Sequence, residues 1–277
     1  MKVAALQWDV RRCDAAWNLA AASAGLEHAR EAGVDLVLLP EMWATSFPDS
    51  GDDCALQTRA ARDAALRLCD TSSRLGVGWA GSGFCSERAG ERPTNRLELF
   101  ADGEWLLAYD KLHLFGPTAE DSVFRAGSSL PPTITWRGLR VSAVICYDLR
   151  FPELTRAPFY AAAELLLVPA QWPSERATQW RALVHGLAAS GQCFVLACNR
   201  TGSESVGRRE LRLEFPGNSL LVDPTGRTLA EGRGEPGLVV GEVDARLARE
   251  LQQKIPVRRD LREDVYGARA GSEAERR

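Results

Sequence analysis

The sequence predicts an α/β fold, and three observations carry that reading. Apolar runs of strand length alternate with longer Ala- and Leu-rich stretches of high helix propensity. Some of those runs, Asp35-Leu-Val-Leu-Leu-Pro40 above all, are apolar at consecutive positions, the pattern of parallel strands buried on both faces. Asp102-Gly103, between two strand candidates, is a hairpin signal, so antiparallel pairing is expected too. The expectation is one domain, built as a sheet of mixed strands or as two sheets packed face to face with helices outside.

Residues 3–8 form the first strand candidate. Asp14 is a natural N-cap for an Ala-rich helix that reaches Arg30 and ends near Gly33. The run at 36–39 is a strand stopped by Pro40, and 53–74 reads as helix. Gly76-Val-Gly78-Trp-Ala-Gly81 matches the dinucleotide fingerprint literally. A helix precedes it and a polar Gly/Arg-rich segment follows, whereas a pyrophosphate site needs a strand before and a helix after. It reads instead as a glycine-rich strand, 77–84, in close packing. Strands at 96–101 and 105–109 flank Asp102-Gly103; a further strand is expected at 139–146, then a helix around 151–163. A strand at 165–168, a helix at 176–190 and a strand at 193–199 repeat the pattern. The last third holds strands at 218–223 and 238–243, a turn at Pro224-Thr-Gly226 and a helix at 245–254. No linker or repeat divides the chain, so residues 1–266 are expected to be a single domain and 267–277 a polar, flexible tail.

Composition excludes several classes. The 277 residues are 45% hydrophobic and 26% charged, which is globular rather than disordered or collagenous. A formal net charge of −3 supplies no field to draw the chain to nucleic acid or acidic membrane. The first residues turn polar too soon for a signal peptide, and the apolar stretch 161–170, broken by Glu164 and Pro169, is half a membrane span. Seven cysteines, an odd count with no C-x-x-C, fit free thiols in a reducing compartment, so a cytoplasmic location is expected. The three histidines are too dispersed for a zinc site; no metal or cofactor is implied.

Chemistry is concentrated at three strand ends. Cations number 31 Arg against only Lys2, Lys111 and Lys254, so a mid-chain lysine at 111 suggests a task for a compact ammonium that a guanidinium cannot fill. Glu41 follows the buried strand at 36–39 among Leu, Pro, Met and Trp, where partial desolvation suits a general base. Cys146 ends a strand and precedes a helix, the elbow that exposes a nucleophile and offers the next backbone N–H, that of Tyr147, to an oxyanion. Nearby helix N–H groups would favour its thiolate. A base, an ammonium and a thiol at one sheet edge are what acyl transfer from an amide or nitrile requires. A papain-like arrangement of Cys146 with His113 or His185 and Asn199 is the competing enzyme reading, and it leaves Lys111 without a task.

Leu39-Pro-Glu41-Met, Tyr109-Asp-Lys111-Leu-His-Leu-Phe115 and Cys146-Tyr-Asp-Leu-Arg-Phe-Pro-Glu153 resemble the three signature segments of the nitrilase, or carbon–nitrogen hydrolase, superfamily. The resemblance implies a four-layer α-β-β-α sandwich with two mixed sheets, assembled as a homodimer or higher homo-oligomer. It also implies a second functional glutamate, which falls on Glu120, to position Lys111 or the substrate. Glu41-Met-Trp-Ala-Thr-Ser-Phe47, Gln171-Trp-Pro173 and Cys198-Asn-Arg-Thr-Gly202 resemble the omega-amidases. That branch implies hydrolysis of the terminal amide of a short 2-oxo dicarboxylic acid monoamide through a thioester, releasing ammonia. A deaminated glutathione amidase, an N-carbamoyl or nitrile hydrolase, and a catalytically silent binding protein are the alternatives. Phe47 and Trp172 are candidates to line the pocket, and Arg150, Arg176 and Arg200 to bind a substrate carboxylate. The chain differs from relatives at Gly217-Asn-Ser219, where many carry Gly-His-Ser, and in an Arg/Glu-rich insertion at 203–214.

Overall fold

The computed structural model of the chain describes residues 1–47, 54–86, 88, 90–206 and 211–266. Asp14 caps the first helix as expected, its carboxylate accepting the Trp17 N–H at 3.0 Å. The chain runs β1 (Lys2–Gln7), α1 (Ala15–Glu31), β2 (Leu36–Leu38), α2 (Cys54–Leu75), β3 (Gly78–Cys85), β4 (Thr94–Ala101) and β5 (Glu104–Asp110). It continues through α3 (Glu120–Val123), β6 (Thr133–Trp136), β7 (Leu139–Ala143), α4 (Pro152–Tyr160), β8 (Leu165–Ala170), α5 (Ala177–Gly191) and β9 (Phe194–Asn199). The remaining elements are β10 (Thr201–Val206), β11 (Leu211–Pro216), β12 (Leu220–Val222), β13 (Thr228–Glu231), β14 (Gly237–Glu242), α6 (Ala245–Lys254) and α7 (Glu263–Tyr266).

Two six-stranded sheets result, ordered β14-β1-β2-β3-β4-β5 and β13-β12-β9-β8-β7-β6, with β10 and β11 as a separate ribbon. Each sheet has a parallel centre, β1-β2-β3 in one and β7-β8-β9 in the other, and antiparallel flanks. Alternation along β1 and β2 explains the layering. Val3, Ala5, Leu36 and Leu38 face the second sheet, packing with Val141, Leu165 and Leu196. Ala4, Leu6 and Val37 point the other way, onto Leu19 and Leu26 of α1 and Ala61 and Leu68 of α2. Both faces are covered, hence the continuous apolar runs. Trp180, Val184 and Ala188 put α5 on the outer face of the second sheet and complete the four layers.

Asp102 and Gly103 take φ of 54° and 83°, the left-handed pair of a two-residue hairpin turn between β4 and β5. The glycine fingerprint is strand β3, where a Cβ at Gly81 would lie 2.8 Å from Trp43. Two boundaries fall short of expectation, and four strands were not expected. The strand expected to reach Cys146 stops at Ala143, because the chain turns into a 3-10 helix over Cys146–Arg150. The helix expected to reach 163 ends at Tyr160, after Pro158 and just before left-handed Ala162. Edge strands β6 and β13 and the ribbon β10–β11 carry polar residues and lacked an apolar run to reveal them. The expected tail, 267–277, lies outside the described residues. Among the described residues, no helix is long and apolar enough to cross a membrane.

Candidate active site

Four chain segments meet where the two parallel centres end. Beyond β2 the backbone turns sharply, with Met42 at φ 51° and Ser46 at φ 60°, and Ser82 on β3 holds the turn by accepting the Met42 N–H at 3.2 Å. That geometry aims Glu41 inward, where it is fully buried. Lys111, just past β5, is fixed at both backbone ends: its N–H donates to Asn95 O and its carbonyl accepts from Gly127, each at 2.9 Å. A Cβ at Gly127 would lie 2.3 Å from Asp110 O, so only glycine allows this approach. Glu120 opens the short helix α3 and is also fully buried.

The ammonium joins the two carboxylates. Lys111 Nζ donates to Glu41 Oε1 at 2.7 Å and to Glu120 Oε1 and Oε2 at 2.9 and 2.8 Å. Asn95 Nδ2 on β4 donates to Glu41 Oε1 at 2.9 Å and reaches Glu120 Oε1 at 3.4 Å. Phe115 N–H donates to Glu120 Oε2 at 2.6 Å, and Gln171 N–H to Glu41 Oε2 at 3.1 Å. Burial opposes the Lys111 charge, but Glu120 and Glu41 outweigh it, so the amine's pKa lies above the ordinary lysine value. Burial, with the Glu41 charge adding to it, raises the Glu120 pKa against the pull of Lys111.

Cys146 sits at φ 45°, a strained left-handed conformation for a side chain of its size. Asp148 secures that elbow. Its carboxylate accepts from Ile145 N at 3.2 Å, Tyr109 Oη at 2.8 Å, His113 N at 3.0 Å and the His113 ring at 2.9 Å. Burial and the adjoining Glu41 charge push the Cys146 thiol well above its ordinary pKa, with Lys111 acting the other way. This corrects the expectation of a favoured thiolate: five residues of 3-10 helix are outweighed by burial and a carboxylate, so the resting group is a thiol beside a base.

Phe47, Lys111, Phe115, Cys146, Tyr147, Arg150, Gln171, Trp172, Pro173 and Arg176 line a narrow pocket over this cluster. Its free volume is about 20 Å³, little more than one water-sized group occupies. Tyr147 N–H belongs to the first turn of the 3-10 helix, whose leading N–H groups have no partner within the helix. Arg150 and Arg176 stand on the lining. Arg150 Nη2 is held by Gln179 at 2.6 Å with its guanidinium 4.8 Å over Trp172, while Arg176 lies 5.8 Å from the Phe115 ring centre.

Arg200 is placed elsewhere. It is buried outside the pocket lining, and its donors go to Asp9, Val10 O, Thr201 O, Ser46, Gln171 and Glu204, leaving none for a substrate. The histidines are spent as well. His113 is held by Asp148 and stacks on Phe151 at 3.5 Å, and His185 pairs with Gly226 O at 2.8 Å. Asn199 Oδ1 accepts the Trp172 N–H at 2.7 Å, so the Cys–His–Asn reading has no geometry to support it. Asn95, Gln171, Asp148 and Asn199 were not singled out from sequence for the work they do, although Asp148, Gln171 and Asn199 lie within the quoted segments at 146–153, 171–173 and 198–202.

The carbon–nitrogen hydrolase family matches residues 2–253. The chain is 33% identical over 264 residues to the 2-oxoglutaramate amidase of Bacillus subtilis (strain 168), across 95% of this chain and 98% of that one. It is 30% identical to omega-amidase YafV of Escherichia coli (strain K12), across 83% of this chain and 86% of that one. A mutant of the amidase from Nesterenkonia sp. AN1, with acrylamide added at its active-site cysteine, superposes at a TM-score of 0.80 with 28% identity, over 94% of this chain and 100% of that one. A cysteine-to-alanine mutant of that amidase in complex with butyramide superposes at 0.79, with 27% identity over 93% and 96% of the two chains. With a matching fold, two carboxylates bridged by an ammonium and a cysteine at the elbow, this chain belongs to the carbon–nitrogen hydrolase family and is a nitrilase-type amidase with an active-site cysteine.

Proposed function

We propose that this enzyme hydrolyses the terminal amide of a short 2-oxo dicarboxylic acid monoamide, 2-oxoglutaramate first among them, through a thioester on Cys146. The observation that carries the reading is the buried Glu41–Lys111–Glu120 cluster beside the Cys146 thiol. Glu41 takes the thiol proton as Sγ bonds to the amide carbon. The cluster begins with two carboxylates to one ammonium. Once Glu41 is protonated its hold on Lys111 weakens, and the ammonium is released to face the new oxyanion together with Tyr147 N–H. Glu41 passes its proton to the departing nitrogen, and the C–N bond breaks to give ammonia. It then takes a proton from water as the hydroxyl attacks the thioester, returning acid product and thiol. Glu120 keeps Lys111 anchored throughout.

The relatives named 2-oxoglutaramate amidase and omega-amidase support the substrate class. A short amide offers little area, so orientation falls to a distal carboxylate met by Arg150 and Arg176 at the pocket wall. By the same family resemblance, residues 1–266 act as one hydrolase domain that works in the cytoplasm as a homodimer or higher homo-oligomer. The test compares kcat/KM for 2-oxoglutaramate, deaminated glutathione and an uncharged amide of similar length by ammonia release. The 2-oxo acid amide is expected to win. A win for deaminated glutathione would move the chain to that branch, and an equally good uncharged amide would remove the carboxylate clamp.

A further inference from the structure

The β10–β11 ribbon carries both ends of the charged stretch at 203–214. It stands outside both sheets, with Glu204 opposite Leu213 and Gly202 opposite Phe215. Leu213 and Phe215 are two apart on one strand and therefore share a face. Both are buried, 5% and 4% exposed, and among the described residues they form a small apolar cluster with Phe47. That residue is itself a wall of the Cys146 pocket. The polar half of the same face is fastened too. Glu204 bonds Ser46, the neighbour of Phe47, and Arg200 Nη1 donates to Ser46 Oγ at 2.8 Å and to Glu204. The Arg200 guanidinium in turn lies 4.6 Å over the Phe215 ring. Thus the ribbon holds the Ser46–Phe47 segment by one hydrogen bond, from the Ser46 hydroxyl to Glu204, and one apolar contact, and Phe47 has its pocket on one side and the ribbon on the other.

We propose that the β10–β11 ribbon limits the length of acyl chain the enzyme accepts, by holding Phe47 against the pocket through Leu213 and Phe215. This rests on the amidase reading of the same pocket. The free space over Cys146 is small, so added methylenes must displace a wall, and Phe47 can retreat only where the ribbon leaves room. Leu213 is the cleaner residue to test, since Phe215 also supports Arg200. It touches neither substrate nor the reacting atoms.

The experiment measures kcat/KM for butyramide and hexanamide with the full-length enzyme and with Leu213→Ala and Leu213→Phe. Removing the side chain should raise the hexanamide-to-butyramide ratio about tenfold, the scale of one or two methylenes in an apolar pocket. Butyramide kcat should stay within about threefold of wild type if the four-residue machinery is untouched. Leu213→Phe should lower the ratio. If Leu213→Ala fails to fold, Leu213→Val makes the same test with a smaller shift in the same direction. An unchanged ratio in folded variants, or a parallel loss on both amides, overturns the proposal and leaves the amidase reading standing. A wild-type enzyme that releases ammonia from no amide overturns both.

Discussion

The Lys111 ammonium makes three hydrogen bonds to two carboxylates within 3 Å, in a space from which solvent is excluded. A guanidinium has the charge but is planar and wide, and it cannot place single N–H groups on Glu41, Glu120 and an oxyanion from one point. Lys111→Arg is therefore expected to lower kcat at least ~100-fold, the scale of losing one oxyanion donor, with butyramide turnover as the readout. His113→Ala should cost far less, because His113 braces Asp148 and not the reacting atoms. Lys111, Glu41 and Cys146 were legible because scarcity and strand-end position mark them: one mid-chain lysine, one glutamate after a buried run, one cysteine at an elbow; Glu120 came only from the family resemblance. Asn95 was not legible, and Gln171 was marked only as part of the segment Gln171-Trp-Pro173. Neutral amides carry no such mark, and their contacts with Glu41 arise only in the folded chain: Asn95 reaches it from β4, two strands from β2 in the same sheet, and Gln171 from the end of β8 in the other sheet.

At the scale of elements, the elbow after β7 is held in a left-handed turn by one buried carboxylate. Asp148 gathers donors from Ile145, Tyr109 and His113, so it ties the nucleophile's turn to the loop that carries Lys111. Asp148→Ala would leave those donors unpaired in the interior, and a loss of about 3 kcal/mol in unfolding free energy is expected, read from urea melts. Asp148→Asn should recover part of that stability, because an amide oxygen still accepts two of the bonds. Long apolar strands, the capped helix α1 and the Asp102-Gly103 hairpin were all legible, since each is decided by local pattern. The ribbon was not, because its apolar residues are scattered among Ser203, Glu204, Ser205, Arg212 and Glu214 and form no continuous apolar run. Arg200 misled for a related reason: an arginine beside a substrate motif looks the same in sequence whether it faces the pocket or is buried behind it.

For the whole molecule, stacking two sheets with parallel centres brings the strand ends that carry Glu41 and Cys146 to one point, and it also buries thiols. Burial pushes the pKa of Cys193 from 9.0 to about 12 and that of Cys69 likewise to about 12. A folded pKa raised above the unfolded one gives stability that is complete below pH 9 and is lost as pH rises toward 12. The melting temperature should thus hold level to about pH 9 and then fall steeply, and Cys193→Ala should make that fall shallower. Cys146, raised in the same way, starts the reaction as a thiol, so catalysis depends on Glu41 removing its proton at the moment of attack. The most direct test of that account is intact-mass analysis of enzyme quenched during turnover of a slow amide, followed by peptide mapping. The account predicts an acyl adduct on Cys146, reversed by hydroxylamine and absent in a folded, inactive Cys146→Ser variant. Turnover with no adduct at Cys146, or full activity in Cys146→Ser, would contradict it.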